Sequence, residues 1–409
     1  MPAWLNRTVI GAGLTSFLAD VGYELAKALI PGFLYLLGLP VGYAAQVAGW
    51  IESSAEFVSN AAKLLVGWWS DKVGKRKRLV VFGYALTGSA FALCALAFSW
   101  PLILFAQCLA WLGKGIRGPL RNAILADSVA PQALGKAFGF HRAGDTLGAV
   151  VGPLLGIVFL RLLPAGWFPD YPKAAFRAAF VFTLVPGLLA AVAFWALVRE
   201  QRFTPKPGLR LGASVAALPR PYWWFLVPVG IFGLGDFAHT ILFVVATAQF
   251  STAYGLQDGL TIGILLPAWR NLIQALFAFP AGVVGDRIGH GAALTGGYAL
   301  GAMTFSWFVT VPNPGLAAWL LLFALAGIFL AVEESLEPAA IANLVPDKRM
   351  QGTAFGVLAV VNGLGDVVAS AIVGWLLYHS GRSTALTYAA ITMLIGALMM
   401  AGQTRPRRL

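Results

Sequence analysis

Asp20, Glu24 and Lys27 follow one another at intervals of four and three residues inside an otherwise apolar run, and that spacing places all three on one face of a helix. The pattern recurs. Lys114, Arg117 and Arg121 form a basic stripe, Glu52, Glu56 and Lys63 a mixed one, and Glu333 and Glu337 an acidic pair. Asp127, Arg142, Asp145, Asp236, Arg270, Glu334 and Asp366 also lie within apolar stretches. Carboxylates four residues apart in a poorly solvated site repel one another, so one of them can carry a proton; Asp20 and Glu24 are the candidates, with Asp236 and His239 as a second proton-handling pair. Arginine and lysine in such surroundings seek a carboxylate or phosphate, so the stripe of Lys114, Arg117 and Arg121 suggests a solute with an anionic group, and Lys27, Glu333 and Glu337 are further substrate-binding candidates.

What must position these groups follows from composition. The chain has 409 residues, 59% of them hydrophobic and only 11% charged, with a mean hydropathy of +0.77. A soluble fold has to clothe its exterior with polar groups, so the solvent here is lipid. Runs of about 20 apolar residues cross a bilayer as helices, and twelve are expected, at 8–37, 42–69, 79–98, 101–127, 136–163, 176–198, 221–250, 259–284, 292–310, 315–344, 351–378 and 384–402. The ionisable groups within them would cost on the order of 50 kcal/mol if they faced lipid, at about 2.5 to 3.5 kcal/mol each, so they face an interior or lie near the membrane ends. For Glu52, Glu56, Lys63, Arg142 and Asp145 the expected role is ion pairing between helices. Asp20, Glu24, Arg117 and Glu337 are the ones expected to work.

The net charge of +12 is unevenly spread. With twelve spans, eighteen basic residues fall on the side of the two termini and four, Arg161, Lys173, Arg177 and Arg382, on the other. The positive-inside rule puts both termini in the cytoplasm, and the basic charge reads as topology, with no nucleic-acid partner. The opening "MPAWLNRTVIGAG" has no small-residue cleavage site and is expected to be a retained helix rather than a signal peptide. Cys94 and Cys108 sit inside spans and read as packing residues. No metal-ligand spacing, phosphate-binding loop or nucleotide domain is present, so neither an enzyme nor a cofactor is expected; "GKGIRG" (113–118) lacks the lysine-serine/threonine ending of such loops.

The chain also repeats itself. "FLADVGYELAKALIP" (17–31) matches "FGLGDFAHTILFVVA" (232–246), Asp71 matches Asp286, and Gly139 and Gly148 match Gly356 and Gly365, all at an offset of 215 to 217. Two six-helix units, 1–198 and 221–409, joined by a polar cytoplasmic linker at 199–220, account for this.

"GWWSDKVGKRKR" (67–78) resembles motif A of the major facilitator superfamily: Gly67, Asp71, Lys72, Gly74, Lys75 and Arg76 fill its pattern, and Gly282, Asp286, Arg287 and Gly289 form a degenerate copy. Asp71 can meet the positive N-terminal end of a helix in the other half, and Lys75 or Arg76 can pair with Asp127. The resemblance implies that this latch closes the cytoplasmic side in the outward-facing state, that spans one, four, seven and ten line a central cavity, and that the protein is a monomer. "GAVVGPLLG" resembles motif C of exporters, through Gly148, Gly152, Pro153 and Gly156, and is expected to form a tight, bendable contact between the halves. Gln107 departs from the family, standing where many members carry a proton-linked arginine.

The expectation is an all-α integral membrane protein of the major facilitator fold that exports a small, anionic or amphipathic organic compound in exchange for protons by alternating access, in the inner membrane of a bacterium. A facilitator or proton symporter importing a metabolite or metal chelate is the alternative, and a transport-incompetent sensor, scaffold or lipid-modifying enzyme a third reading.

Overall fold

The structure, a computed structural model, describes residues 2–162, 173–201, 208 and 210–404. Linker residues 202–207 and 209, the tail arginines Arg405, Arg407 and Arg408 and the side chain of Arg161 lie outside the described residues. Every regular element described is helical: α1 (Arg7–Leu36), α2 (Val41–Val73), α3 (Arg76–Ala92), α4 (Trp100–Asp127), α5 (Leu134–Leu162), α6 (Lys173–Phe182), α7 (Leu184–Leu197), α8 (Leu211–Ala216), α9 (Arg220–Gly233), α10 (Thr240–Tyr254), α11 (Leu256–Ile288), α12 (His290–Val309), α13 (Leu316–Leu344) and α14 (Gln351–Thr404), with single 3-10 turns at Leu93–Leu96 and Pro131–Ala133.

Local chemistry sets the ends. Asn6 caps α1, its side chain accepting from the amides of Thr8 at 2.8 Å and Val9 at 3.1 Å. α2 stops at Gly74, which holds φ at 72°, a left-handed conformation that glycine adopts without strain. The chain therefore turns sharply, and α3 begins two residues later at Arg76. At Gly381, φ 82° and ψ 173° divide α14 into the two helices expected at 351–378 and 384–402.

Two expected spans are broken. Span 176–198 is α6 and α7, parted at Thr183, because Pro186 has no amide to give the carbonyl of Phe182. Span 221–250 is α9 and α10. Residues 234–239 between them leave the helix after Gly233, and the amide of Ala238 turns to the hydroxyl of Ser370 at 2.9 Å. Asp236 and His239 thus stand in a helix break rather than on a helix face.

Among the described residues, five helical stretches are long and apolar enough to cross a membrane: Arg76–Leu96, Pro131–Leu160, Lys173–Leu197, Leu316–Leu344 and Gln351–Gln403. α1, α2, α4 and α11 have the length, but the ionisable residues along them dilute their apolar character.

The chain divides into two compact units: Met1–Val129, Gly144–Ala217 and Pro346–Ala359 in the first, Ala130–Ala143, Leu218–Val345 and Val360–Leu409 in the second. In unit 1, α4 packs against α2 and α3, and α7 against α1 and α3. Phe33, Phe91, Trp111 and Phe180 fill its larger core, and Val80, Tyr84, Leu120 and Phe194 a smaller one. Unit 2 is built on α13 against α11 and α12 and on α10 against α11. There Phe232 stacks on Tyr298 with ring centroids 3.8 Å apart.

Gly148 and Gly152 do not lie between halves. They recur every four residues on one face of α5, and that face packs on α1 within unit 1. A Cβ on Gly152 would stand 2.8 Å from the Val21 carbonyl oxygen and 2.9 Å from the Leu25 amide nitrogen; one on Gly148 would stand 2.8 Å from the Asp20 Cβ. Backbone meets backbone here, so the glycines seat α5 against the face of α1 that carries Asp20. Gly156 only touches Leu29, at 3.6 Å. Gly152→Val is therefore expected to destabilise the protein by roughly 1–3 kcal/mol through overpacking, and Gly156→Ala to be tolerated; thermal unfolding in detergent checks both, and equal melting of the two variants would contradict this packing.

Candidate functional site

In unit 1 the acidic face of α1 and the basic face of α4 come together around aromatic rings. Asp20 is 2% exposed; its Oδ2 accepts from the Tyr23 hydroxyl at 2.9 Å, whereas Oδ1 has no partner. Arg117, also 2% exposed, lies with its guanidinium 4.3 Å from the centre of the Tyr84 ring, and its Nε and Nη1 are unpartnered. Lys114 sits over Tyr23 at 4.7 Å and Trp111 at 4.9 Å. Rings thus lie against both cations, a cation–π arrangement, with Asp20 within electrostatic reach of each.

The neighbours of this pair are ion-paired. Lys27 bridges Glu24 at 3.7 Å and Glu52 at 3.6 Å. The Trp111 indole donates to Glu56 at 2.7 Å. Arg121 donates to Ser16 at 3.2 Å and lies 4.0 Å from Asp145. Of the two proton-carrier candidates on α1, Glu24 is occupied by a lysine and Asp20 is the buried one. Tyr23, Tyr84 and Trp111 were missed by reasoning from charges alone, although Tyr23 lies one helical turn from Asp20.

Unit 2 gathers acids. Glu337 accepts from the Tyr298 hydroxyl and, at 2.7 Å, from the Asn362 amide. Glu333 and Asp236 are buried within electrostatic reach of one another, each with one unpartnered oxygen. Arg142 pairs with Glu334, which also accepts from Gln274. His239 is buried with Nε2 unpartnered, its ring 5.9 to 6.3 Å from those of Phe237, Phe305 and Phe329. Among the described residues, no cluster of three or more histidine, cysteine, aspartate or glutamate side chains could hold a metal ion.

At the end of α2, Asp71 receives the first amides of α14, from Gly352 at 3.1 Å and Thr353 at 2.7 Å, together with the Thr353 hydroxyl at 2.9 Å. A helix start leaves its amides without intrahelical partners and carries partial positive charge, so a carboxylate there satisfies both. Close approach is possible because Gly67 faces Gly352: a Cβ on either would strike the other's backbone. Arg76, buried, completes the network with Asp71 at 2.8 Å, Asp127 at 3.3 Å and the carbonyl of Lys348. Lys348 reaches Asp127 at 3.7 Å. Lys75 is exposed, so of the two bases expected to reach Asp127 the structure selects Arg76.

Unit 2 repeats the device. Asp286, at the end of α11, receives the amides of Gly135 at 2.7 Å and Lys136 at 3.0 Å at the start of α5, with Gly282 against Gly135. In place of an arginine, His290 meets Asp286 at 3.2 Å, and Asn343 meets the other nitrogen of that ring at 3.1 Å.

The sequence matches the Major Facilitator Superfamily profile over residues 12–270 and 260–408. The chain belongs to the major facilitator superfamily. An uncharacterized MFS-type transporter of Methanocaldococcus jannaschii is 30% identical over 97% of this chain and 95% of its own length. Two solved structures share the fold over nearly all of both chains: the human organic anion transporter MFSD10, with a TM-score of 0.73 and 19% identity over 98% of this chain and 100% of that one, and the Escherichia coli fucose:proton symporter FucP, with a TM-score of 0.73 and 15% identity over 99% and 100%. As a member of this superfamily the protein is a multi-pass membrane transporter of small molecules, with helix-terminal aspartates where motif A and its copy lie.

Removing one partner of a buried ionic network leaves the others uncompensated. Arg76→Ala is expected to destabilise this transporter by roughly 3–5 kcal/mol, and Lys75→Ala by no more than about 0.5 kcal/mol. Thermal unfolding of the two variants distinguishes them, and equal losses would sink the assignment of Arg76.

Proposed function

We propose that the protein imports a small organic solute bearing an anionic group together with a proton, by alternating access of two six-helix repeats, 1–198 and 221–409, joined through 199–220. It spans the membrane twelve times as a monomer, both termini in the cytoplasm, in the inner membrane of a bacterium. The latch residues Gly67, Asp71, Gly74, Arg76 and Asp127 hold the cytoplasmic side shut while the cavity is open outward.

The observation that carries this reading is the state of Asp20 and Arg117. Both are buried, each has unpartnered polar atoms, and they influence one another electrostatically without closing into a hydrogen-bonded pair. When Asp20 is ionised it attracts Arg117 and holds part of its charge. A proton on Asp20 Oδ1 removes that attraction, and Arg117, whose Nε and Nη1 groups are already unpartnered, then presents its full charge to an anion. Proton and anion therefore favour one another's binding, and with both present each buried charge is neutralised. Cooperative loading of this sign makes the two travel together, whereas exchange requires that one displace the other. The family resemblance to fucose:proton symport points the same way.

Export, expected from motif C, has less behind it. Its glycines join α5 to α1 within unit 1, a role that carries no directional meaning. Asp236, His239, Glu333 and Glu337 are proposed as the second proton-handling and solute-orienting set, with Lys114 and Arg121 supporting Arg117.

The test is transport into proteoliposomes containing a trapped pH dye, with a panel of small carboxylates, phosphonates and neutral sugars. Entry of an anion is expected to acidify the lumen, and Asp20→Asn to reduce solute-driven proton flux at least tenfold while solute counterflow persists. Alkalinisation on solute entry would establish exchange instead; solute entry with no change of pH would remove the proton from the mechanism.

A further inference from the structure

Away from the buried charges, unit 2 contains a cavity of about 960 Å³, large enough for a drug-sized ligand. It lies where the start of α9, the start of α12, the C-terminal end of α13 and the end of α14 meet. Its polar lining is Arg220, His290, Asn343 and Gln403, and its apolar lining includes Trp224 and Phe225. Among the described residues, no aspartate or glutamate lines it. The nearest acid bonded to the lining, Asp286, lies behind His290, already engaged by that ring and by the amides of Gly135 and Lys136.

Two of these groups have their orientation fixed by other residues of the lining. Gln403 donates to the Trp224 carbonyl at 2.6 Å, which ties the end of α14 to α9. Asn343 is held by His290 at 3.1 Å. Arg220 is exposed, and its guanidinium makes the cavity positive. Trp223 and Trp224 are partly exposed at the point where the polar linker gives way to an apolar helix, 38% and 56% respectively. Tryptophan at such a boundary sits at headgroup depth in a bilayer, with its apolar body beside acyl chains.

We propose that this cavity is a binding site for the headgroup of an anionic phospholipid of the cytoplasmic leaflet. This rests on the membrane placement given above but not on the direction or coupling of transport. The phosphate lies against Arg220, which offers the planar donor fork suited to phosphate oxygens. The glycerol region lies near Asn343 and Gln403, and the acyl chains leave the cavity past Trp224. A bound lipid would touch His290, the side chain that holds Asp286 against the start of α5, so occupancy reaches one of the two helix-terminal contacts.

The experiment is native mass spectrometry of the full chain, delipidated in detergent, with phosphatidylglycerol, phosphatidylcholine or inorganic phosphate added. Arg220→Gln, Trp224→Ala and the exposed-site control Arg78→Gln are compared with wild type, and melting confirms that each is folded. The expected result is a single phosphatidylglycerol adduct at least fivefold more abundant than the phosphatidylcholine adduct. It falls at least fivefold in Arg220→Gln, falls in Trp224→Ala and is unchanged in Arg78→Gln. Equal binding of the two lipids, or equal loss in Arg78→Gln, would overturn the site, since the charge would then act diffusely. Inorganic phosphate that displaces the lipid at equal concentration would overturn the lipid as occupant and assign the cavity to a soluble anion. Failure of solute transport in any variant leaves this result unaffected, so the two proposals stand or fall separately.

Discussion

A helix that begins in a low-dielectric setting has amides with nothing to bond, and in this protein two of the long helices begin against an aspartate from the end of another. Asp71 serves Gly352 and Thr353; Asp286 serves Gly135 and Lys136. The rest of the motif follows from this need. The carboxylate reaches the amides only if the backbones nearly touch, so glycine is required one turn earlier at Gly67 and Gly282, and glycine faces it at Gly352 and Gly135. In the first copy the left-handed turn at Gly74 then returns the chain so that Arg76 lies beside the same carboxylate.

The two copies differ in how charge is balanced. Around Asp71 the partners are ionic: Arg76, Asp127 and Lys348 form a closed network in which every member has an oppositely charged neighbour. Around Asp286 the arginine is replaced by His290 and the second acid by Asn343, which stands 216 residues beyond Asp127. Lys136 contributes only a distant ammonium, at 3.9 Å. The first contact is thus tied by permanent charges and the second by a histidine whose own support is an uncharged amide. That weaker ring also forms a wall of the unit 2 cavity.

Much of this was legible in the linear chain. The offset of 215 to 217 residues identified Asp71 with Asp286 before any coordinates, and the helical spacing of Lys114, Arg117 and Arg121 correctly put them on one face. Other features depend on contacts that spacing cannot encode. Lys75 and Arg76 are adjacent and chemically alike, and only the turn at Gly74 decides which is buried. Asp236 and His239 lie in an apolar run that reads as continuous, yet the backbone leaves the helix between Gly233 and Thr240. Gly148 and Gly152 announced a close contact, but it was expected between the halves, and the partner is α1 within unit 1. The aromatic rings around Lys114 and Arg117 were invisible to a reading that sought acids for bases. Residues 130–143 and 346–359 cluster with the unit opposite to their position in sequence, because long helices begin in one unit and continue in the other.

The central claim, that two aspartates hold the starts of α14 and α5, is tested most directly by hydrogen exchange at those amides. Peptides covering 350–356 and 134–139 would be followed by mass spectrometry in wild type, Asp71→Asn and Asp286→Asn. The account predicts that Asp71→Asn speeds exchange at least tenfold in the first peptide alone, and Asp286→Asn in the second alone. Unchanged protection in both variants would show that the carboxylates do not hold the helix starts, and uniform loss across the chain would show general destabilisation in place of two local contacts.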